Sequence, residues 1–275
     1  MDADPTPVAQ LQATIELPAL LAGLFGSLQT TSKYVAFALQ SGDEREIGEL
    51  KLPDAFSQIQ LPAVPSQSEF RTDYRRWIIG NGFRDGVEAL SSFLEMTRTV
   101  ANLYLLSEKH LITGAEYNDA TIIIPRRFHR FGLPEKLTFL ETEYGLRSEA
   151  LDSILGINIA RNCLVHRNGI VSDRDANTDT GLTITWPKLE LVVRDESGER
   201  TVQANEFVEA GDEIGLRTVQ YSRSFGLGEA IAFSPQEFSD VCMALFFCGQ
   251  DLVQQVEQFG RSHGVTFRDD QSVKT

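Results

Sequence analysis

Three cysteines and four histidines are all that the 275 residues offer as soft metal ligands. Cys163, Cys242 and Cys248 are odd in number, and none stands in a Cys-x-x-Cys or Cys/His spacing, which argues against both a disulfide framework and a zinc site. No run approaches the roughly 18 consecutive apolar residues that a membrane-spanning helix needs, so no membrane association is expected. The opening Met1-Asp2-Ala3-Asp4-Pro5 lacks the basic start and apolar stretch of a secretion signal. The expected location is the cytoplasm.

Positive charge is scarce as well: 25 Lys/Arg stand against 39 Asp/Glu, a formal net charge of -14. A surface of that sign repels a phosphate backbone, which excludes non-specific duplex binding. The deficit is uneven. Residues 121–169 carry 7 basic against 5 acidic residues, whereas the chain on either side is acidic. Arg126, Arg127, His129, Arg130, Arg147, Arg161, His166 and Arg167 fall in this window, and a polyanion is expected to meet the protein there. Within it, Arg126-Arg127-Phe128-His129-Arg130 interleaves basic and aromatic groups as single-strand RNA binders do, although a solvated loop has the same composition.

What is plentiful is helical periodicity. Leu17, Leu20, Leu21, Leu24 and Leu28 form one apolar stripe, and Pro18 stands where a helix can begin, so residues 8–40 read as two consecutive helices. Residues 41–68, with Pro53, Pro62 and Pro65, read as an irregular connection. Leu90, Phe93, Leu94, Thr97, Ala101 and Tyr104 mark the next helix, which extends upstream through Trp77 if Gly80, Gly82 and Gly86 are tolerated at about 1 kcal/mol each. Residues 111–134 are expected to be a long loop and 135–144 a short helix. Ser148 is the expected cap of a further helix with Leu151, Ile154, Leu155 and Ile159 inward and Gly169 as its stop.

Beyond Gly169 the period changes from 3.6 to 2. Leu182, Ile184 and Trp186 predict one strand, and Leu189, Leu191 and Val193 a second. Asp195-Glu196-Ser197-Gly198 predicts a hairpin turn into Thr201-Val202, with further strands over 214–221 and 230–233. Gly226-Leu227-Gly228 has no glycine-rich helix entry after it and reads as a turn rather than a nucleotide-binding fingerprint. Ser234-Pro235-Gln236-Glu237 joins a cap, a first-turn proline and a capping-box glutamate, and opens a last helix running to Gly260. The predicted class is mainly α with a small antiparallel β-rich insertion before the last helix. Residues 1–169 and 235–260 form the helical part, 170–233 the insertion and 261–275 a loose polar tail.

The helix ending near Gly169 carries the chemistry. At 100° per residue, Asn158, Arg161, Asn162 and His166 fall within an arc of about 140° that abuts the apolar stripe. Buried polar groups need partners, so the arc is either a satisfied patch that fixes packing or a site. Histidine can gain and lose a proton near neutral pH, and arginine keeps its charge. Together they suit cleavage of a phosphodiester by the RNA 2′-hydroxyl, histidine moving the proton and arginine stabilising charge on the phosphate oxygens. Cys163 beside them reads as core.

Arg161-Asn162-Cys163-Leu164-Val165-His166-Arg167-Asn168-Gly169 resembles the signature of HEPN domains, an arginine and a polar residue four to six residues before a histidine on a late helix of an up-and-down four-helix bundle. The resemblance implies a homodimer in which two motifs face each other and form one composite site for metal-independent RNA cleavage without a cofactor. Proteins of this kind serve in phage defence or in toxin–antitoxin systems with a protein antitoxin. Arg161 and His166 would be catalytic and Asn162 orienting, with Asn158, Arg167, Arg126, Arg127 and Arg130 contacting RNA or another ligand. Some members carry a tyrosine two residues after the histidine as a modification site; here that position is Asn168, which puts this form of regulation in doubt. The β-rich insertion is not part of a minimal bundle and is a candidate for partner or ligand recognition. The alternative within the same fold is a non-catalytic module that binds a nucleotide, RNA or a protein partner. A helical interaction protein whose polar arc is only structural is a third.

Overall fold

The computed structural model describes residues 15–44, 66–109, 113–195, 198–202, 206–208, 211 and 213–267. Helix α1 (Leu17–Glu44) buries Leu17, Leu20, Leu24, Leu28, Val35 and Leu39 along one stripe, with Pro18 in its first turn where a missing N–H costs nothing. The helix expected before Pro18, and most of the connection expected over 41–68, lie outside the described residues; α1 itself runs four residues past Gln40.

Helix α2 (Gln67–Lys109) passes through Gly80, Gly82 and Gly86 without a break. Two of these glycines sit where other helices cross. A Cβ on Gly82 would stand 2.7 Å from the Phe238 ring and 2.8 Å from Val35, and one on Gly86 would stand 3.1 Å from Leu245. Close approach of three helices offsets their poor helix propensity.

The stretch from 113 to 131 is not the long loop that its composition suggests. It folds as α3 (Gly114–Asn118), a π-helical turn over Asp119–Ile123, and α4 (Ile124–Phe128), with Thr113 and Glu116 forming a capping box. Buried Phe128 ties it down, lying edge-on to Phe139 of α5 (Leu133–Tyr144) and under the buried Arg98 guanidinium of α2. A weak local pattern became helix through tertiary contacts.

Helix α6 (Leu151–His166) is followed by a three-stranded antiparallel sheet, β1 (Gly181–Asp195), β2 (Gly198–Thr201) and β3 (Glu213–Gly226), in the order β2-β1-β3. The two strands expected over 182–193 are one: β1 pairs with β3 continuously from Gly181↔Gly226 to Arg194↔Glu213. Pro187 is tolerated because β2 covers only Val192 to Asp195, leaving β1 an edge at the proline. Residues 230–233 form no strand; only Ala230 makes a bridge, to Ile170.

Leu182, Ile184 and Trp186 of β1 are fully buried in the same core as the helices, with Ile184 against Gly156 of α6 and Trp186 edge-on to Phe233. Helix α7 (Pro235–Ser262) starts at the capping box expected of it, Ser234 Oγ accepting from Glu237 N–H and Glu237 accepting from Ser234 N–H. After it the chain turns back, and Phe267 packs on Tyr104 at 6.0 Å, so the first residues of the expected loose tail are held. The fold is mainly α with a small antiparallel sheet, and no described helix is long and apolar enough to cross a membrane.

Candidate functional site

Helix α6 starts at Leu151. Ser148 is not its cap residue, a place taken by Ala150, but the Ser148 hydroxyl accepts the Ala150 N–H at 3.1 Å just before it. Ile154, Ile157, Ala160 and Cys163 are fully buried, and the polar arc runs alongside them from interior to solvent. Asn158 is buried, Arg161 and Asn162 are half-buried, and His166 is exposed in the last turn. Arg161 donates from Nη1 to Asn162 Oδ1 at 2.9 Å, while its Nε is buried with no hydrogen-bond partner. An unpaired buried N–H costs about 1–3 kcal/mol, so this guanidinium is anchored on one side and unsatisfied on the other.

The end of α6 is fixed from both sides. Asn168 (φ 53) and Gly169 (φ 71) take left-handed conformations, and the N–H groups of Arg167 and Gly169 both donate to Cys163 O at 3.0 Å. The segment before α7 then grips the exit: Ile231 N–H donates to Gly169 O at 2.7 Å, Val171 N–H to Glu229 O at 2.9 Å, and Gly228 N–H to Val171 O at 2.9 Å. The backbone around His166 is therefore rigidly placed although its side chain is open.

Arg167 turns the other way. Its Nε donates to Asp175 Oδ2 at 2.9 Å and its Nη2 to Oδ1, while Ser172 adds donations from N–H at 3.0 Å and Oγ at 2.7 Å. The Asp175 side chain is fully buried. Burial opposes its charge, but the hydrogen bonds from Arg167 and Ser172 prevail and hold its carboxyl below the usual range. The same bond raises the affinity of Arg167 for its proton. Arg167 is thus engaged in closing the loop after α6. Beside it, burial pushes the Cys163 thiol up to about 11, with Asp175 adding to the effect, so no thiolate nucleophile is available there.

Arg126, Arg127 and Arg130 are exposed on α4 and the turn after it. The structure does not bring them to the α6 motif. Gly80 of α2 faces Leu164 of α6, whereas Arg98, eighteen residues further along α2, lies over the Phe128 ring. At 1.5 Å per residue the two places are about 27 Å apart along the helix axis. His129, in the same basic run, pairs with Glu95 at 2.9 Å. The single basic window of the sequence is therefore two separate places within one chain.

The sequence predicts the helix of α2 but gives its first turns no part in a site. Thr72, Arg75 and Arg76 share one face of it and line a cleft of about 220 Å³ against Leu164 of α6 and Phe233 before α7. The only local signal was a pair of adjacent arginines in an acidic chain. No protein-family model matches the chain, and neither does any curated protein or solved structure.

Proposed function

We propose that this protein is a HEPN-like, metal-independent endoribonuclease of the cytoplasm, acting as a homodimer through the Arg161-Asn162-x3-His166 motif. The reading takes α1, α2, α6 and α7 as an up-and-down four-helix bundle, supported by the packing of α2 on α1, α6 and α7. The observation that carries it is the state of the motif: Arg161 is held by Asn162 yet has an unpartnered Nε, on a helix whose last turn leaves His166 exposed.

In this reading the ribose 2′-hydroxyl attacks the adjacent phosphorus as His166 accepts its proton. The bond to the 5′-oxygen breaks, and the partner's His166 returns a proton to that leaving oxygen. Arg161, set in place by Asn162, stabilises the charge that grows on the non-bridging oxygens. Asn158 supports the buried side of the arc. The products are a 2′,3′-cyclic phosphate and a 5′-hydroxyl, and the proton and charge steps use only these side chains.

The test is cleavage of labelled single-stranded and structured RNAs in EDTA by wild type, Arg161→Ala and His166→Ala, each with its folding verified. Cyclic-phosphate ends made by wild type and lost in both variants are the expected result. A folded wild-type dimer that binds RNA or nucleotide without cutting any substrate would overturn the nuclease reading in favour of a binding module.

A further inference from the structure

Two clefts meet at Ala232 and Phe233, and their linings differ in charge. The larger, about 430 Å³, is lined by Lys188 and Arg223 but also by Glu237 and Asp240. Glu237 is already occupied by Ser234 N–H at 2.7 Å, the Tyr221 hydroxyl at 3.2 Å and Arg223 Nη1 at 3.3 Å. Two cations balanced by two carboxylates give an anion no reason to enter. The smaller cleft, about 220 Å³, is lined by Arg75, Arg76 and Thr72, whose hydroxyl donates to Ser68 O at 3.0 Å, with no carboxylate in its lining and an apolar floor that includes Leu164 and Ile231.

The two arginines are not equally free. Asp43 holds Arg75 with two contacts of 2.7 Å from Nη2. Among the described residues Arg76 pairs with Asp73 alone, at 3.6 Å, and that carboxylate is 73% exposed, so the pair is weak and easily exchanged. The stem of Arg76 lies on the end of the motif helix: a Cβ on Gly169 would stand 3.7 Å from Arg76 Cδ and 3.3 Å from Leu164 Cδ2. Gly169 is three residues past His166. A cation with a replaceable partner and an apolar wall therefore stand together at the C-terminal end of α6, on the face of Leu164, which at 100° per residue is about 160° around the helix from His166.

We propose that this cleft seats one ribose-phosphate unit of a single-stranded RNA that continues over the end of α6 toward His166, with Arg76 as the main phosphate contact, Arg75 beside it, and the sugar against Leu164 and Ile231. The inference rests on the nuclease reading for its substrate class. The cleft is smaller than the roughly 300–1,000 Å³ of drug-sized pockets, which suits one backbone unit rather than a free dinucleotide. Because the contact is to phosphate, it strengthens binding to every sequence alike.

The test is fluorescence anisotropy of labelled RNA oligonucleotides against salt, in the His166→Ala background so that the RNA stays whole. Arg76→Met keeps the stem packed on Gly169 and removes the charge; Arg76→Lys keeps charge; Arg84→Met removes an exposed charge elsewhere on α2. Arg76→Met is expected to weaken binding about tenfold for all sequences and to lower the slope of log affinity against log salt by about 0.7, the value for one phosphate of a single strand. Arg76→Lys should keep the slope, and Arg84→Met should change neither quantity. Equal effects of Arg76→Met and Arg84→Met, an unchanged slope, or no RNA binding would overturn the proposal. Wild type that binds through Arg76 but never cuts would sink the nuclease reading and leave the cleft standing; wild type that cuts while Arg76→Met binds normally would do the reverse.

Discussion

Arg161 and Arg167 lie six residues apart at one end of one helix, and the fold treats them in opposite ways. Arg167 receives a fully buried carboxylate from its own chain, Asp175, itself fastened by Ser172. Among the described residues Arg161 receives only the amide oxygen of Asn162 and keeps a buried Nε without a partner. A guanidinium neutralised from within has little left to offer an anion, whereas one held by a neutral amide keeps its whole charge in place. The first is a fastening, the second would be a receptor on the proposed reading, and neither role follows from residue type.

The contrast breaks most visibly in stability. Arg167→Ala leaves Asp175 buried without its cation, and urea unfolding should show a loss of about 3–5 kcal/mol. Arg161→Ala removes a donor that was partly unsatisfied, so its loss should stay within about 1 kcal/mol. Equal losses would mean that both arginines are structural.

Activity should divide them the other way. Arg161→Ala is expected to lower RNA cleavage about 100-fold, roughly 2.7 kcal/mol of barrier. His166→Ala should lower it similarly while shifting stability by no more than about 0.5 kcal/mol, as for an exposed side chain. A stability loss that accounts for the missing activity would remove the distinction.

Acid sharpens the comparison. Because the Asp175 carboxyl is held below its unfolded value, its stabilising contribution is complete above that value, about pH 4, and is lost as the pH falls through the lower folded one. Asp175→Asn should therefore flatten the acid limb of the stability curve below about pH 4, and Arg161→Ala should leave its shape alone. The smallest effect concerns Cys163. With its thiol pushed up to about 11, iodoacetamide at pH 8 should label it slowly in the native protein, and Arg167→Ala should speed labelling by loosening the loop.

Legibility followed the range of the forces. The start of α7 was readable because Ser234, Pro235 and Glu237 satisfy one another within four residues. The glycines of α2 looked like a weakness, since their purpose lies in Phe238 and Leu245, more than 150 residues away in sequence. Helix α4 was unreadable because Arg98 and Phe139 bury Phe128 from other elements, and β1 was split in two because only its register with β3 shows it to be continuous.

The candidate site divides likewise. Spacing alone put Asn158, Arg161, Asn162 and His166 on one arc, and α6 carries them from buried to exposed in that order. The diversion of Arg167 to Asp175 depends on the left-handed pair Asn168-Gly169, and Arg76 reaches the same place from another helix; neither has a signature in a linear motif.

The hydrogen bonds between residues 169–171 and 228–231 make the sheet region leave and re-enter the helical framework at a single neck. Such an arrangement separates freedom to vary by distance from the neck. Residues added between Asp195 and Gly198 would extend the far β1–β2 hairpin and leave the neck as it is. One residue added between Gly169 and Val171 would put the exit of α6 out of step with Glu229 and Ile231, and with it the backbone that carries His166.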